Sequence, residues 1–352
     1  MQVASQSGIE IRTEPCPACF LCALEGRLLY DGLRDRVAGA PGTWRMRQCA
    51  NPECGLLWLD PRPVEADLLK AYAQYHTHGP QYAGASLSAM PKALNTICRL
   101  ASRLSDQFTG LATQRRQLRK MFLGAERPGR LLEVGCGGGR FLNRMRRAGW
   151  EVEGTDFDPQ AAERVAARYG IRVACGALAD LRYAADTFDA VAMSQVIEHV
   201  HDPQALLQEC RRVLVPGGSL VVTTPNSRSQ AHAMYGRYWR GLEPPRHLHI
   251  FSPAALERCA RDAGFADVRL QTLSAESAGI YRASEDLCLA ENPAAPGPSP
   301  APRIVQSWLR QHEEFVRVLR QPDLGEDILL IAVKSQGAEQ ERRQAQSPGS
   351  LA

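Results

Sequence analysis

From residue 130 onward, short apolar runs alternate with segments whose apolar positions recur at helical spacing. The runs RLLEV (130–134), EVEGTD (151–156), IRVAC (171–175), FDAVAMS (188–194), SLVVTT (219–224) and DVRLQTL (267–273) have strand length and carry many β-branched residues. Between them lie FLNRMRRAG, PQAAERVAARYG, PQALLQECRRVL and PAALERCARDAG, with apolar residues on one helical face. Three of these helices are predicted to start alike, with Asp158-Pro159, Asp202-Pro203 and Ser252-Pro253 placing a capping side chain before a proline in the first helical position. Such alternation predicts a mostly parallel sheet wrapped by helices, with EDILLIAVK (326–334) as a final strand.

Outside that region the pattern changes. Residues 61–126 read as helical through PVEADLLKAYAQY and LATQRRQLRKMFL, where Arg115, Arg116, Arg119 and Lys120 form a solvated face. Residues 292–302, NPAAPGPSPAP, predict a Pro-rich loop, and residues 336–352 a disordered polar tail. Residues 1–60 hold the close pairs Cys16/Cys19 and Cys49/Cys54 around a β-like stretch. That is the pattern of a zinc ribbon, in which two knuckles close a tetrahedral structural site. The second pair has four spacers rather than two, Cys22 rivals Cys16 or Cys19 as a ligand, and ordinary buried thiols are the alternative. The expected division is therefore 1–60 ribbon, 61–127 helical linker or lid, 128–335 α/β domain and 336–352 tail.

Composition narrows the class. With 352 residues, 44% of them hydrophobic, the chain can bury a sizeable core. All but four of the 42 basic residues are Arg, yet 38 acidic residues nearly balance them. That balance speaks against a nucleic-acid footprint. No apolar run approaches the ~20 residues of a membrane span, and the N-terminus lacks a basic region followed by an apolar stretch, so a cytoplasmic protein is expected. Eleven scattered Cys suit thiols or metal ligation better than a disulfide framework.

The sharpest chemical signal is Gly135-Cys136-Gly137-Gly138-Gly139, which follows a strand and opens a helix. Such a turn brings bare backbone to a nucleotide triphosphate, a dinucleotide or S-adenosylmethionine. A triphosphate loop needs GxxxxGK, and no Lys lies near. A dinucleotide fingerprint would put its third glycine on Arg140. S-adenosylmethionine needs a backbone surface for its amino-acid end and a carboxylate for its ribose diol. Asp156, 21 residues after Gly135, ends EVEGTD and can accept from two hydroxyls, whereas Asp158 is committed as a helix cap.

Through LLEVGCGGGRFL, VEGTDFDP, FDAVAMSQVIEHVHDP, RVLVPGGSLVVTTPN and the closing AGF, residues 128–275 resemble a class I S-adenosylmethionine-dependent methyltransferase. The resemblance implies a doubly wound Rossmann-like sheet. It also implies that Glu133, Gly135, Cys136, Gly137 and Gly139 contact the methionine portion, Asp156 the ribose, Phe157 one adenine face, and Ala177 and Leu178 the adenine edge by backbone. Many relatives carry an Asp at the position of Ala177. Gln195 would lie under the cofactor, and Glu198-His199 would serve a structural turn. The ribbon, CGLLWLDPRP and WRGLEPPRHLHIFS resemble a bacterial subgroup that modifies sugars, lipids or secondary metabolites. Sugar C-methyltransferases share a zinc-binding N-terminus but have a longer C-terminal domain.

Methyl transfer is an in-line displacement from an activated sulfonium, so the protein mainly positions the acceptor and excludes water. Trp239 to His249 follows the fifth strand of the α/β region, over the strand ends where acceptors bind. His247 and His249 are the candidate general bases, a loop His satisfying backbone groups being the equal alternative. They alternate, so one alone should face the pocket. Glu243 could orient it, and Arg246 could bind an anionic acceptor. The expected function is methyl transfer to a small molecule, a sugar, quinone, lipid or secondary metabolite, at oxygen. The rivals are a tRNA or protein methyltransferase docking through the ribbon, and a non-catalytic scaffold. An Asn/Asp-Pro-Pro-aromatic motif is missing, against the first, and the intact glycine turn opposes the second. The pattern sets no oligomeric state.

Overall fold

The apolar runs pair as their composition requires. In the computed structural model, which describes residues 10–72, 105–107, 109–291 and 300–336, thirteen strands form three sheets. The N-terminal strands are β1 (Thr13–Glu14), β2 (Arg27–Leu33), β3 (Trp44–Gln48), β4 (Leu57–Leu59) and β5 (Arg62–Pro63). The α/β strands are β6 (Arg130–Val134), β7 (Glu151–Asp156), β8 (Val173–Cys175), β9 (Phe188–Ser194) and β10 (Leu214–Pro225). β11 (His249–Ile250), β12 (Asp267–Leu273) and β13 (Asp327–Val333) complete the set.

The large sheet has the order β12-β13-β10-β9-β6-β7-β8. β8, β7, β6, β9 and β10 are parallel neighbours, and β13 is inserted antiparallel between β10 and β12. Ala190 to Met193 in β9 are all but inaccessible, as a central strand covered on both faces demands. The chain winds from β6 outward to β8, then crosses back to β9 on the other side of β6. The strand ends of β6 and β9 therefore open a crevice at the switch point, where open α/β sheets bind ligands.

All three Pro-initiated helices form. The side chain of Asp158 accepts from the N–H of Gln160 at the start of Pro159–Tyr169. Asp202 and Ser252 accept from Ala205 and Ala255 to open Pro203–Val213 and Pro253–Asp262. Two long helices went unforeseen, Ser277–Glu291 and Pro300–Val318. The first buries only Ser277, Tyr281 and Ser284, so no apolar stripe announces it. The second opens inside the expected Pro-rich loop, since proline is at home in the first turn of a helix. Residues 292–299 of that loop, 73–104 of the expected helical linker and 337–352 of the expected tail lie outside the described residues.

The N-terminal segment is sewn into the α/β domain. Its four-stranded antiparallel sheet has the order β11-β4-β3-β2, so one strand comes from the far side of the sequence. Cys19, Leu21, Leu56 and Trp58 share a core with Phe251, Leu256, Val191 and Val222. A buried ion cluster adds a second tie. Arg246 is wholly buried and donates to both oxygens of Asp35 at 2.7 and 2.9 Å, to Glu243 at 2.9 Å and to the Ala71 carbonyl at 3.1 Å. Burial works against the Asp35 carboxylate, and Arg246 outweighs it to hold the group below its ordinary pKa.

Breaking one partner of a buried pair strands the other charge. Asp35→Ala should therefore lower the unfolding free energy by about 3–5 kcal/mol. Urea denaturation followed by far-UV signal should show one transition at a lower midpoint, because the N-terminal segment and the α/β domain share a core.

Candidate functional site

The glycine turn leaves β6 in a conformation that side chains resist. Gly135, Gly137 and Gly139 have φ of 69°, 49° and 66°. A Cβ at Gly135 would stand 2.5 Å from Val196, and one at Gly139 2.7 Å from Val165. The turn is thus pressed between the loop after β9 and the helix Pro159–Tyr169, with bare backbone along the crevice. Cys136 turns its buried thiol inward toward Gly154, and its N–H bonds the Thr155 carbonyl at 2.9 Å.

Two carboxylates flank the turn. Asp156, ending β7, accepts from the Gly137 N–H at 2.7 Å and from the Asp158 N–H at 2.9 Å, one on each oxygen. Both oxygens are fixed in place and keep acceptor capacity, since a carboxylate offers about four lone-pair sites. Glu133 is buried, and its Oε2 has no hydrogen-bond partner among the described residues. Burial, with the Asp156 charge adding, pushes its pKa well above the carboxylate range. An orphaned buried acid beside bare backbone is the signature of an occupant the protein chain does not supply.

The remaining expected cofactor contacts ring the same crevice. Phe157 follows Asp156 and exposes 53% of its surface. Ala177 and buried Leu178 sit in the turn after β8, where the N–H groups of Asp180 and Leu181 bond the Ala177 carbonyl. Gln195 leaves β9 with φ of 55°, and its Nε2 donates to Asp327 Oδ1 at 3.0 Å. Asp327 was missed in the sequence. Its signal is an acidic pair, Glu326-Asp327, opening an otherwise apolar strand.

The two candidate histidines diverge, as their alternation requires. His247 Nδ1 lies 2.8 Å from the Gly241 carbonyl and therefore carries the proton. Its Nε2 lies 3.7 Å from Glu243, and its ring centroid 4.7 Å from that of His199. His249 belongs to β11 and lies 5.1 Å from the Phe20 ring and 6.3 Å from Phe251. Both are buried, and burial drives each pKa down to about 3. A base that weak holds a proton poorly at neutral pH. Glu243 and Arg246, expected to orient a base and bind an acceptor, instead neutralise each other in the buried ion cluster. Glu198 is buried, accepts from Thr224 Oγ1 at 2.9 Å and is raised by burial to about 8.

The cysteines group differently from the expected ligand set Cys16, Cys19, Cys49 and Cys54. Sulfur atoms of Cys19, Cys22, Cys49 and Cys54 all lie within 4.8 Å of one another, and Cys16 stands outside the group. The reason is backbone anchoring. Cys16 N–H donates to Asp60 and its carbonyl accepts from Trp58, while the turn from Cys19 to Leu24 folds back with Ala23 at φ of 56°. That turn brings the Cys19 and Cys22 sulfurs together as one close pair. Cys19 and Cys54 sulfurs are 3.9 Å apart, close to the ~3.8 Å edge of a tetrahedron with Zn–S bonds of about 2.3 Å. The Cys54 thiol beside it holds Cys19 down to about 5, and Cys54 is pushed up in return. Clustered thiols of this kind resist further ionisation until a cation joins them.

Between pH 6.5, the ordinary histidine value, and about 3, the unfolded chain binds protons at His247 and His249 that the folded chain refuses. Stability should therefore decline as pH falls below about 6.5. Imidazole resonances of both rings should stay in the neutral form through mildly acidic pH, and a His247→Gln/His249→Gln variant should show a flatter dependence of stability on pH.

Comparison with known proteins agrees with this geometry. Residues 105–270 match the family model of a methyltransferase domain. The chain is 37% identical over 146 residues to a ubiquinone biosynthesis O-methyltransferase of Cereibacter sphaeroides, covering 38% of this chain and 59% of that relative. It is 37% identical over 119 residues to the mitochondrial ubiquinone biosynthesis O-methyltransferase of Homo sapiens, covering 30% and 31%. A solved structure of phosphoethanolamine N-methyltransferase 2 from Haemonchus contortus with S-adenosyl-L-methionine covers 63% of this chain and 53% of its own at 20% identity and a TM-score of 0.42. The chain spans three fifths or less of these curated relatives. Strand order, a glycine turn at the switch point and the match over residues 105–270 agree on a methyltransferase domain within this chain.

Proposed function

We propose that the protein transfers a methyl group from S-adenosylmethionine to an oxygen of a small hydroxylated aromatic acceptor of the quinone class. The observation that carries the cofactor half is the orphaned Glu133 carboxylate beside the bare Gly135–Gly139 backbone, with Asp156 fixed opposite. The acceptor half leans on the printed names of the relatives, ubiquinone biosynthesis O-methyltransferases. When bound, the cofactor supplies a methyl group already activated on a sulfonium.

This chain's residues bind and orient. Glu133 Oε2 receives the ammonium of the methionine end, which supplies the partner it lacks and favours its ionised form. The backbone of Gly135, Cys136, Gly137 and Gly139 runs along that end. Asp156 uses its spare lone pairs on the ribose hydroxyls, Phe157 offers a flat apolar face to the adenine, and the Ala177–Leu178 backbone borders its edge. Residues 128–335 carry the reaction, and the described residues of 10–60 pack against them.

That packing is clamped by a structural zinc on Cys19, Cys22, Cys49 and Cys54. The Cys54 and Gly55 carbonyls accept from Ser252 and Ser227, and Arg228 reaches the Pro52 carbonyl at 2.9 Å. A closed knuckle there fixes both ends of the segment 227–252 above the strand ends. Among the described residues no helix is long and apolar enough to cross a membrane.

Asp156→Ala should weaken S-adenosylmethionine binding by about 1.5–3 kcal/mol, the value of a charge-assisted hydrogen bond. Calorimetry reads this directly, and an unchanged affinity removes Asp156 from the site. Purified protein should contain one zinc per chain by elemental analysis. Cys22→Ser should lower that content and Cys16→Ser should not; the reverse order would restore the other knuckle. Incubation with S-adenosylmethionine and a panel of catechols should yield O-methylated product. Cofactor binding without methylation of any hydroxylated aromatic would refute the acceptor class.

A further inference from the structure

The crevice holds a carboxylate with no part in cofactor binding. Asp327 opens β13 opposite Pro225 of β10 and Leu273 of β12. Because β13 runs antiparallel, its first residue stands at the same edge as the last residues of β9 and β10, where acceptor and methyl donor must meet. Gln195 comes to it from the end of β9. Its backbone, in the left-handed region at φ of 55°, is tied to the Thr223 carbonyl at 2.8 Å, and its side-chain amide donates to Asp327 Oδ1 at 3.0 Å. A β-carbon-bearing residue in that region costs energy, and the ties to Thr223 and Asp327 hold it there. Oδ2 of Asp327 has no hydrogen-bond partner among the described residues, and the residue is half-buried rather than sealed.

On the methyl-transfer reading above, we infer that Asp327 is the general base of the reaction and Gln195 the residue that positions its carboxylate. The acceptor O–H bond breaks and its proton passes to Asp327 Oδ2. The oxygen's electron pair forms the new bond to the methyl carbon, and the pair of the breaking S–CH3 bond stays on sulfur, leaving S-adenosylhomocysteine. The proton then leaves Asp327 to solvent.

The electrostatic setting suits that task. Burial raises Asp327 to about 7, against the Gln195 bond and with the Glu276 charge adding. The charges coupled to it among the described residues are all carboxylates: Glu276 after β12, Glu198 in the turn after β9, and Glu326 next to it in the chain. An acid of that strength both accepts and releases a proton near neutral pH, which the two buried histidines do not.

The test compares wild type with Asp327→Asn, close in shape, and Gln195→Leu, using calorimetry for S-adenosylmethionine and methyl transfer to catechol and nitrocatechol. Nitrocatechol ionises readily without help. Asp327→Asn should bind cofactor like wild type, lose about 10²–10⁴-fold in kcat on catechol, and lose far less on nitrocatechol. Wild-type kcat/KM for catechol should rise with pH through a midpoint near 7. Gln195→Leu, lacking the bond that favours the ionised form, should move that midpoint upward. Full activity of Asp327→Asn on catechol, or an equal loss on both acceptors, would overturn the base assignment while leaving the methyltransferase reading intact. Wild type that binds cofactor yet methylates neither catechol refutes the acceptor class and the base with it. Wild type that binds no cofactor refutes the cofactor reading.

Discussion

A guanidinium with no exposed surface organises this molecule. Arg246 sits in the segment after β10, and its two carboxylate partners come from opposite directions, Asp35 beyond β2 and Glu243 from its own turn. A buried charge is tolerable only when paired and hydrogen-bonded, so the segment can settle only where Asp35 meets it. The adjacent residues then have no freedom: Leu248 N–H bonds the Glu198 carbonyl, and His249 and Ile250 join β4. The segment after β10 is held by the N-terminal segment as much as by the domain that contains it.

The fold was legible where burial is two-sided. β6 and β9 match their sequence runs to the residue, because apolar runs of strand length have few alternatives, and the edge strand β12 does so through its alternation of exposed and covered residues. β8 is shorter than IRVAC, and β10 begins at Leu214, ahead of the apolar run, with an irregularity before Ser219. The helices at 277–291 and 300–318 escaped because they bury hydroxyls and carboxylates. Tyr281 donates to Glu314 at 2.7 Å, and Gln311 bonds the Ser274 and Ala275 carbonyls. Hydropathy periodicity is weak in 277–291, whereas 300–318 is amphipathic and the prolines at its start hid it.

Site residues separate by the same logic. The glycine turn and the place of Asp156 at a strand end were readable because their geometry is local: a turn that only glycine permits, and an acid that closes an apolar run. The choice between Cys16 and Cys22 was not readable, since spacing alone allows both. It is set by bonds from Asp60 and Trp58 that hold the Cys16 backbone away from the cluster. The histidines looked like bases because the sequence reports their position in a loop but not their burial. Asp327 looked like part of a strand because nothing local says that β13 inserts antiparallel and brings its first residue to the working edge.

Burial of acids is the other recurring constraint. Glu133, Glu198, Glu314, Glu326 and Asp327 are all raised above the carboxylate range, each chiefly by desolvation. A chain of net charge +4 thus keeps a set of reluctant carboxylates along and behind one edge of its sheet. Such an edge is unfavourable in isolation, because each group either protonates or pays for its charge in a poor solvent. A cationic ligand reverses the balance where it reaches such a group: on the proposed reading, an ammonium against Glu133 lowers that one pKa and recovers the lost solvation as direct attraction, while the other four stay neutralised or hydrogen-bonded within the protein.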